Sequence, residues 1–376
     1  MEEFLEGKTK ILVENYVWNR TPKAGEVFFN PFVKVVRDLA VLACKAYGEM
    51  YGNFLIGDAL AGVGAKALRI AKEVDKCYEA HLNDKSYLAL EYAKKSALEN
   101  GIENKCKFTN YEASYFLLKK VNEEGRFDIV EIDPFGSPSP YLDAALKAVR
   151  DEGLLCLTAT DVTALCGIYK NVALRRYFGY PINNEFNHEI AVRLLISSTS
   201  FMGARLDLGL RPLFSHFTRN HARVYLKVLV GANKADETLR NLGYLAYCFN
   251  CLYREFGREV EKICPLCKSK LSIAGPLWIG ELHDEDFLSR MIKNCPKEFK
   301  EAEKIVKLAL EEINLPLGFY KIDKICKNLK ISIPKISKVI ESLRSLGYKA
   351  SRTIFDGNSI KCNISIKELK EILLKL

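Results

Sequence analysis

The chain has 376 residues, with 56 Lys+Arg against 47 Asp+Glu and a formal net charge of +9. At roughly 100–200 residues per domain it holds two or three domains, with ample length for a sizeable core. A hydrophobic fraction of 48 % beside 27 % charged residues excludes a disordered or fibrous chain, and no apolar run approaches the roughly 18–20 residues of a membrane span.

The start, Met1-Glu2-Glu3-Phe4-Leu5-Glu6, is acidic and shows no basic segment leading into an apolar stretch, so a cytoplasmic location is expected. Val27-Phe28-Phe29-Asn30-Pro31-Phe32 precedes an amphipathic helix carrying Arg37. Phe28 could stack on a planar ligand or belong to the core. Asn53 to Asp58 reads as an apolar strand ending in an acid, followed by Gly62-Val63-Gly64 and a helix from Ala65 to Val74. Cys77 to Leu82 reads as a second strand, closed by Asn83-Asp84, and Lys85 to Asn100 as a helix with Gly101 as its cap. Lys105 to Thr109 is a weak third strand and Phe127 to Ile132 a strong fourth one, running into Asp133-Pro134. Pro140 to Arg150 reads as a helix and Gly153 to Thr158 as a fifth strand. Strands separated by helices of this length predict an α/β fold, a parallel sheet covered on both faces, which residues 180–230 complete.

Past Tyr244 the pattern changes to a cysteine-rich segment ending near Gly275-Pro276. A helical stretch, Asp284 to Ile313, follows. Helices over Ile322 to Leu329 and Lys335 to Leu346, then strands either side of Asp356-Gly357-Asn358, give winged-helix order. The charge is uneven along the chain. Lys321 to Leu376 carries 13 Lys+Arg against 5 Asp+Glu, leaving 43 against 42 for everything before it. That surplus points to a polyanionic partner, nucleic acid before a membrane surface, or to a lysine-rich solubilising face.

In an open α/β sheet, ligands sit beyond the carboxyl ends of the strands. Asp58 and the turn at Gly62 lie there, where amides at a helix N-terminus approach a ligand closely. Asp84, 26 residues after Asp58, stands where an acid would hold a ribose diol. An acid before the turn and no third glycine suit a nucleoside without a pyrophosphate, and S-adenosylmethionine is one.

Asp133-Pro134-Phe135-Gly136 ends the fourth strand. A residue before proline is extended, so Asp133 is expected to point from the strand end into the pocket. Asp133 and the Pro134 carbonyl can accept hydrogens from an exocyclic amine while Phe135 stacks on the base that carries it. Such amines are poor nucleophiles, which a proton-accepting carboxylate relieves.

Cys248-x-x-Cys251 and Cys264-x-x-Cys267, with 12 residues between the inner cysteines, form two knuckles that complete a tetrahedral sulfur site for structural Zn2+. The other eight cysteines are expected as small buried apolar groups. The five histidines show no metal or triad spacing, so they are expected in structural roles or as substrate contacts.

These residues, taken with Thr158-Ala159-Thr160-Asp161 and Ala350-Ser351-Arg352-Thr353, resemble the archaeal and eukaryotic tRNA (guanine(26)-N2)-dimethyltransferase family from about Gly7 to Cys362. The resemblance implies a class I, Rossmann-like methyltransferase domain over residues 1–240 with an N-terminal extension. It also implies a winged-helix-like α+β tRNA-binding domain over 241–376, with the zinc ribbon at 244–275. By position it implies that Arg37, Arg69, Asp84, Glu112 and Ala113 hold S-adenosylmethionine. It makes Asp133 the catalytic carboxylate and has Phe28 and Phe135 flank the base. Ala61-Gly62-Val63-Gly64 departs from the family's serine- or threonine-rich turn, and Lys66, Glu112 and Ile354 stand where Arg, Asp and His are usual. The expected partner is tRNA, with no membrane and no obligate protein partner. Two rival readings are an amino-methyltransferase of adenine N6 and a non-enzymatic zinc-ribbon binding protein.

Overall fold

The computed structural model describes residues 1–376. The chain opens with an antiparallel hairpin, β1 (Glu2–Glu6) and β2 (Thr9–Val13), then two short parallel strands, β3 (Tyr16–Val17) and β4 (Val27–Phe28). Helix α1 (Lys34–Tyr51) follows a turn in which the Asn30 side chain accepts the Phe32 amide. The hairpin turns at the left-handed Gly7, and β1 does not read as a strand because three of its five residues are glutamates.

The main sheet has seven strands. β5 (Phe54–Asp58), β6 (Cys77–Asn83), β7 (Cys106–Thr109), β8 (Phe127–Ile132) and β9 (Val149–Ala159) run parallel. Helices α2 (Ala65–Glu73), α3 (Tyr87–Glu99), α4 (Ala113–Glu124) and α5 (Leu142–Ala148) join them. β5 is buried along its whole length and β8 nearly so, which is why both read as continuous apolar runs. After α6 (Val162–Leu165), α7 (Lys170–Tyr177) and α8 (Asn187–Ala204), the hairpin of β10 (Leu208–Thr218) and β11 (His221–Val230) adds antiparallel to β9. Across the sheet the order is β7-β6-β5-β8-β9-β11-β10. The chain winds outward from β5 to β7 and then returns to β8. The switch point therefore lies between the carboxyl ends of β5 and β8. One boundary moves from expectation: Arg150 belongs to β9 rather than to a helix, because its guanidinium pairs with Asp128 on the neighbouring strand.

α9 (Ala232–Arg240) leads to a three-stranded antiparallel sheet of β12 (Leu242–Tyr247), β13 (Arg254–Gly257) and β14 (Ser272–Trp278), whose two connecting loops carry the cysteine knuckles. The expected helical stretch splits into α10 (Glu285–Lys293) and α11 (Lys300–Glu311), interrupted around Pro296, which cannot donate to a helical ladder. β15 (Tyr320–Lys321), α12 (Ile322–Leu329), α13 (Ile336–Ser345), β16 (Ala350–Arg352), β17 (Ser359–Cys362) and a final helix, α14 (Ile366–Leu373), complete the winged-helix-like module. The architecture is a Rossmann-like α/β sheet with a ribbon-bearing, winged-helix-like α+β C-terminal part.

Two apolar clusters hold these parts together. One runs from Phe116 and Leu146 on one face of the sheet, through Leu195 of α8, to Leu245 of β12 and Leu343 of α13. The other joins Leu39 of α1, Leu68 of α2 and Ala93 of α3 to Phe287 of α10, Val306 of α11 and Phe299 just before α11. Each fully buried side chain of this kind contributes about 1.5–3 kcal/mol. Helices that follow the ribbon in sequence thus pack back on the N-terminal helix, so the C-terminal residues support the sheet that precedes them. No helix is long and apolar enough to cross a membrane.

The basic surplus after residue 320 is partly internal. Lys361 is buried against Glu189 and Glu312, and Lys324 pairs with Glu185 at 2.9 Å. Lys335 and Lys338 remain on the surface.

Candidate active site

The turn between β5 and α2 needs its glycines. Gly64 is left-handed (φ 77°), and a Cβ there would lie 2.8 Å from Leu82 Cδ2, so the helix can seat on β6 only without a side chain at that point. Gly62 (φ 55°) aims its amide at Asp84, whose Oδ2 accepts at 2.8 Å, and Asp84 Oδ1 accepts the Ser86 amide at 2.8 Å. Burial raises the Asp84 carboxyl and those two amides oppose the rise. On the first strand, burial pushes Asp58 up to about 7, against the pull of Lys66.

A cavity of about 320 Å3 opens at the switch point. Asp58, Gly62 and Asp84 line it from one side, and Asp133, Pro134 and Phe135 from the other. Phe28 and Arg37 close it from the N-terminal segment. Arg37 donates to both oxygens of Glu6 and, at 3.0 Å, to the Asn30 carbonyl. The opening hairpin therefore fixes the guanidinium at the cavity edge.

Three residues named in the sequence lie outside the cavity wall. Arg69 is fully buried behind it, bonded to Asp38 at 2.7 Å and Glu73 at 2.9 Å and lying over the Phe299 ring. Glu112 caps α4 by accepting the Tyr115 amide, with Ala113 beside it. Both sit one strand beyond Asp84, in a segment anchored by Asn83, which donates to the Tyr111 carbonyl and accepts its amide.

Asp133 ends β8 with its side chain 29 % exposed. It accepts from the Lys66 ammonium, which also reaches Glu131 at 2.8 Å. Arg223 of β11 grips Glu131 in a fork, at 2.7 and 2.6 Å. Carboxylate and cation alternate along Asp133, Lys66, Glu131 and Arg223, so the buried charges cancel. Burial would raise the Asp133 carboxyl, but Lys66 and Arg223 outweigh it and hold the group well below the usual carboxylate range. Asp133 is therefore ionised throughout the neutral range.

Phe28 and Phe135 meet edge to face, with ring centroids 4.6 Å apart at 88°. A base between two parallel rings would need about 7 Å, twice the carbon contact distance. Phe135 is 60 % exposed, so little packs against the outer face of its ring. Behind it, Gly136 is tied to the end of β9 by two bonds with Thr160, each 2.8 Å.

Two residues of this wall carry no local sequence signal. Lys66 follows the glycine turn like any helical lysine. His221 arrives on the β10–β11 hairpin, whose turn residues Arg219 and Asn220 are both left-handed. Its Nδ1 lies 2.7 Å from the Arg219 carbonyl, which only accepts, so the proton is on Nδ1. Burial lowers its pKa, opposed by Asp133, leaving Nε2 a neutral acceptor.

The four knuckle cysteines bring their sulfurs within 4.8 Å of one another. Cys248–Cys267 at 3.5 Å and Cys251–Cys264 at 3.4 Å approach the spacing of about 3.8 Å expected around a tetrahedral ion with 2.3 Å bonds. With every position filled by cysteine, the cluster fits structural zinc. Of the other eight cysteines, Cys44, Cys77, Cys156, Cys166, Cys326 and Cys362 are buried, and Cys106 and Cys295 are partly exposed.

Residues 7–374 match the family model of the N2,N2-dimethylguanosine tRNA methyltransferases. The tRNA (guanine(26)-N(2))-dimethyltransferase of Methanobrevibacter smithii is 37 % identical over 380 residues, covering 99 % of this chain and 96 % of the relative. The tRNA (guanine(26)-N(2)/guanine(27)-N(2))-dimethyltransferase of Aquifex aeolicus is 33 % identical over 386 residues, covering 100 % and 96 %. Among solved structures, Trm1 from Pyrococcus horikoshii in complex with S-adenosyl-L-methionine superposes with a TM-score of 0.86 at 29 % identity, covering 99 % of both chains.

Proposed function

The chain belongs to the N2,N2-dimethylguanosine tRNA methyltransferase family, and from that premise we propose that it dimethylates N2 of guanosine 26 in tRNA, one methyl at a time. The observation that carries this reading is the pairing of Asp133-Pro134-Phe135 with the glycine turn and Asp84 across one cavity. Asp84 and the amides of the turn suit a nucleoside diol, and Arg37 at the edge suits a carboxylate. S-adenosylmethionine, when bound, supplies an electrophilic methyl on a positively charged sulfur.

Guanine N2 shares its lone pair with the ring and attacks weakly. Asp133 accepts its proton as the new N–C bond forms, while the Pro134 carbonyl accepts the second hydrogen and fixes the amine's orientation. Lys66 keeps Asp133 ionised and pointed into the cavity. The exposed edge of Asp133 returns the proton to water before a second round. Phe28 and Phe135 part to receive the base, and the mobility this needs also makes room for the first methyl group.

On this reading residues 1–240 carry the chemistry and residues 241–376 hold tRNA, with the ribbon and the exposed lysines of the winged module meeting its phosphates. Arg69, Glu112 and Ala113 support the cofactor region from behind its wall. Incubation with an unmodified tRNA transcript and methyl-labelled S-adenosylmethionine, followed by nucleoside mass spectrometry, tests the proposal. Labelled N2,N2-dimethylguanosine at position 26 supports it. Labelled N6-methyladenosine, or no label together with no cofactor binding by calorimetry, would overturn it.

A further inference from the structure

From Val162 to Asn184 the chain carries Lys170, Arg175 and Arg176 and no acidic residue, although Asp161 and Glu185 stand at its two ends. Helix α7 within this stretch buries only Ala173 and Tyr177. Ile168 and Tyr169 before it are each 58 % exposed, and Phe178 and Tyr180 after it 43 % and 45 %. Four large apolar groups interleaved with cations are the composition of a surface that stacks on bases while cations meet phosphates. A solubilising face would be charged without the aromatics.

The position of this surface is as telling as its composition. Tyr177 and Arg176 both bond Asp161, Arg176 at 2.9 Å. Asp161 directly follows Thr160, which lines the cavity and holds Gly136 beside Phe135. At the other end Tyr180 makes a two-bond bridge with Gly275 of β14, at 3.0 and 2.9 Å, beside the exposed Tyr244. The stretch therefore runs without a break from the rim of the cavity to the ribbon sheet. Arg176 is neutralised by Asp161, whereas Lys170 and Arg175 have no acidic partner.

We infer that α7 and its flanks form the tRNA contact nearest the reaction centre. Tyr169 and Phe178 stack on nucleotides beside the extruded guanine, and Lys170 and Arg175 meet the adjoining phosphates. This inference rests on the tRNA methyltransferase reading. It assigns the contact to a short basic stretch within the otherwise near-neutral first 320 residues, apart from the basic tail that charge counting alone would select.

Two variants of the full chain test it. Tyr169→Ala combined with Phe178→Asn removes both rings while keeping a residue that tolerates the left-handed backbone at position 178 (φ 57°). Lys170→Glu combined with Arg175→Glu changes exposed groups only. Measured by fluorescence anisotropy at several salt concentrations, the first variant should bind tRNA about tenfold or more weakly. The second should lower both the affinity and the slope of its salt dependence, by about 1–2 ion equivalents. Calorimetric binding of S-adenosylmethionine should be unchanged in both, which also reports that they fold. If both bind tRNA within twofold of the wild type with the same salt slope, the inference is overturned. It is equally overturned if the wild type is a dimer that either variant dissociates, since the face would then belong to a second copy. If the wild type itself transfers no methyl to tRNA, the underlying reading fails instead, whatever the variants do.

Discussion

The ammonium of Lys66, the second residue of the helix that follows the glycine turn, is bonded to the carboxylate of Asp133 at the end of β8. That ion pair joins the two halves of the cavity, the side suited to the cofactor and the side suited to the base. It also sets the protonation state of the group proposed to accept the N2 proton.

Replacing Lys66 with Met removes the nearest cation from Asp133. The Asp133 carboxyl should then rise, because burial pushes it up once the ammonium is gone. The acidic limb of kcat/KM for tRNA should move to higher pH by about 1–2 units. The fold should lose about 1–3 kcal/mol, less than a fully broken buried pair, because Arg223 still neutralises Glu131. An unmoved acidic limb would show that Lys66 does not control Asp133.

Asp84→Ala should weaken S-adenosylmethionine binding about tenfold or more, since a charge-assisted hydrogen bond contributes about 1.5–3 kcal/mol. The same change removes the acceptor of the Gly62 amide, whose hydrogen exchange should speed up in the cofactor-free protein. Calorimetry at neutral pH checks the first effect. An unchanged Kd would remove Asp84 from the cofactor site.

Asp58 gives a pH signature with a definite sign. Its carboxyl is at about 7 in the fold, against an ordinary value of 3.8. The folded state therefore binds more protons than the unfolded state between those values, and its contribution to stability falls as pH rises through that window. Asp58→Asn should remove the penalty, so its Tm relative to the wild type should climb between about pH 4 and pH 7 and level off above that. Denaturation in matched buffers measures this, and a constant difference would contradict it.

Removing zinc should affect one end of the molecule. The ribbon's own apolar cluster is only Ala246, Cys248, Cys264 and Leu271 with their partly buried neighbours, too little to fold without metal. Chelation should release one zinc per chain, and residues 248–271 should lose hydrogen-exchange protection. tRNA affinity should fall while the cofactor Kd stays within about twofold. Loss of cofactor binding on chelation would show that unfolding of the metal loops spreads through β12 to the main sheet.

The parallel strands were legible because β5 and β8 are buried on both faces and so read as unbroken apolar runs. The knuckles and Asp133-Pro134 were legible because their chemistry lies in adjacent residues. Arg69 was not, because the deciding fact is that Glu6, Asp38 and Glu73 converge on it from three segments. His221 reads in the sequence only as one of five scattered histidines for the same reason: a hairpin turn far along the chain carries it to the side of Asp133. Charge counting located a basic tail but could not show that Lys361 is buried between two carboxylates. Spacing in the sequence reveals sites built from neighbours, whereas sites assembled from distant segments emerge only with the fold.

Asp133 is proposed to accept the proton from guanine N2. Single-turnover methyl transfer to one tRNA by the wild type and by Asp133→Ala, with cofactor affinity measured in parallel, tests it most directly. The rate should fall at least about a hundredfold while the S-adenosylmethionine Kd stays within a few fold. A variant that still forms dimethylguanosine at near the wild-type rate would contradict it.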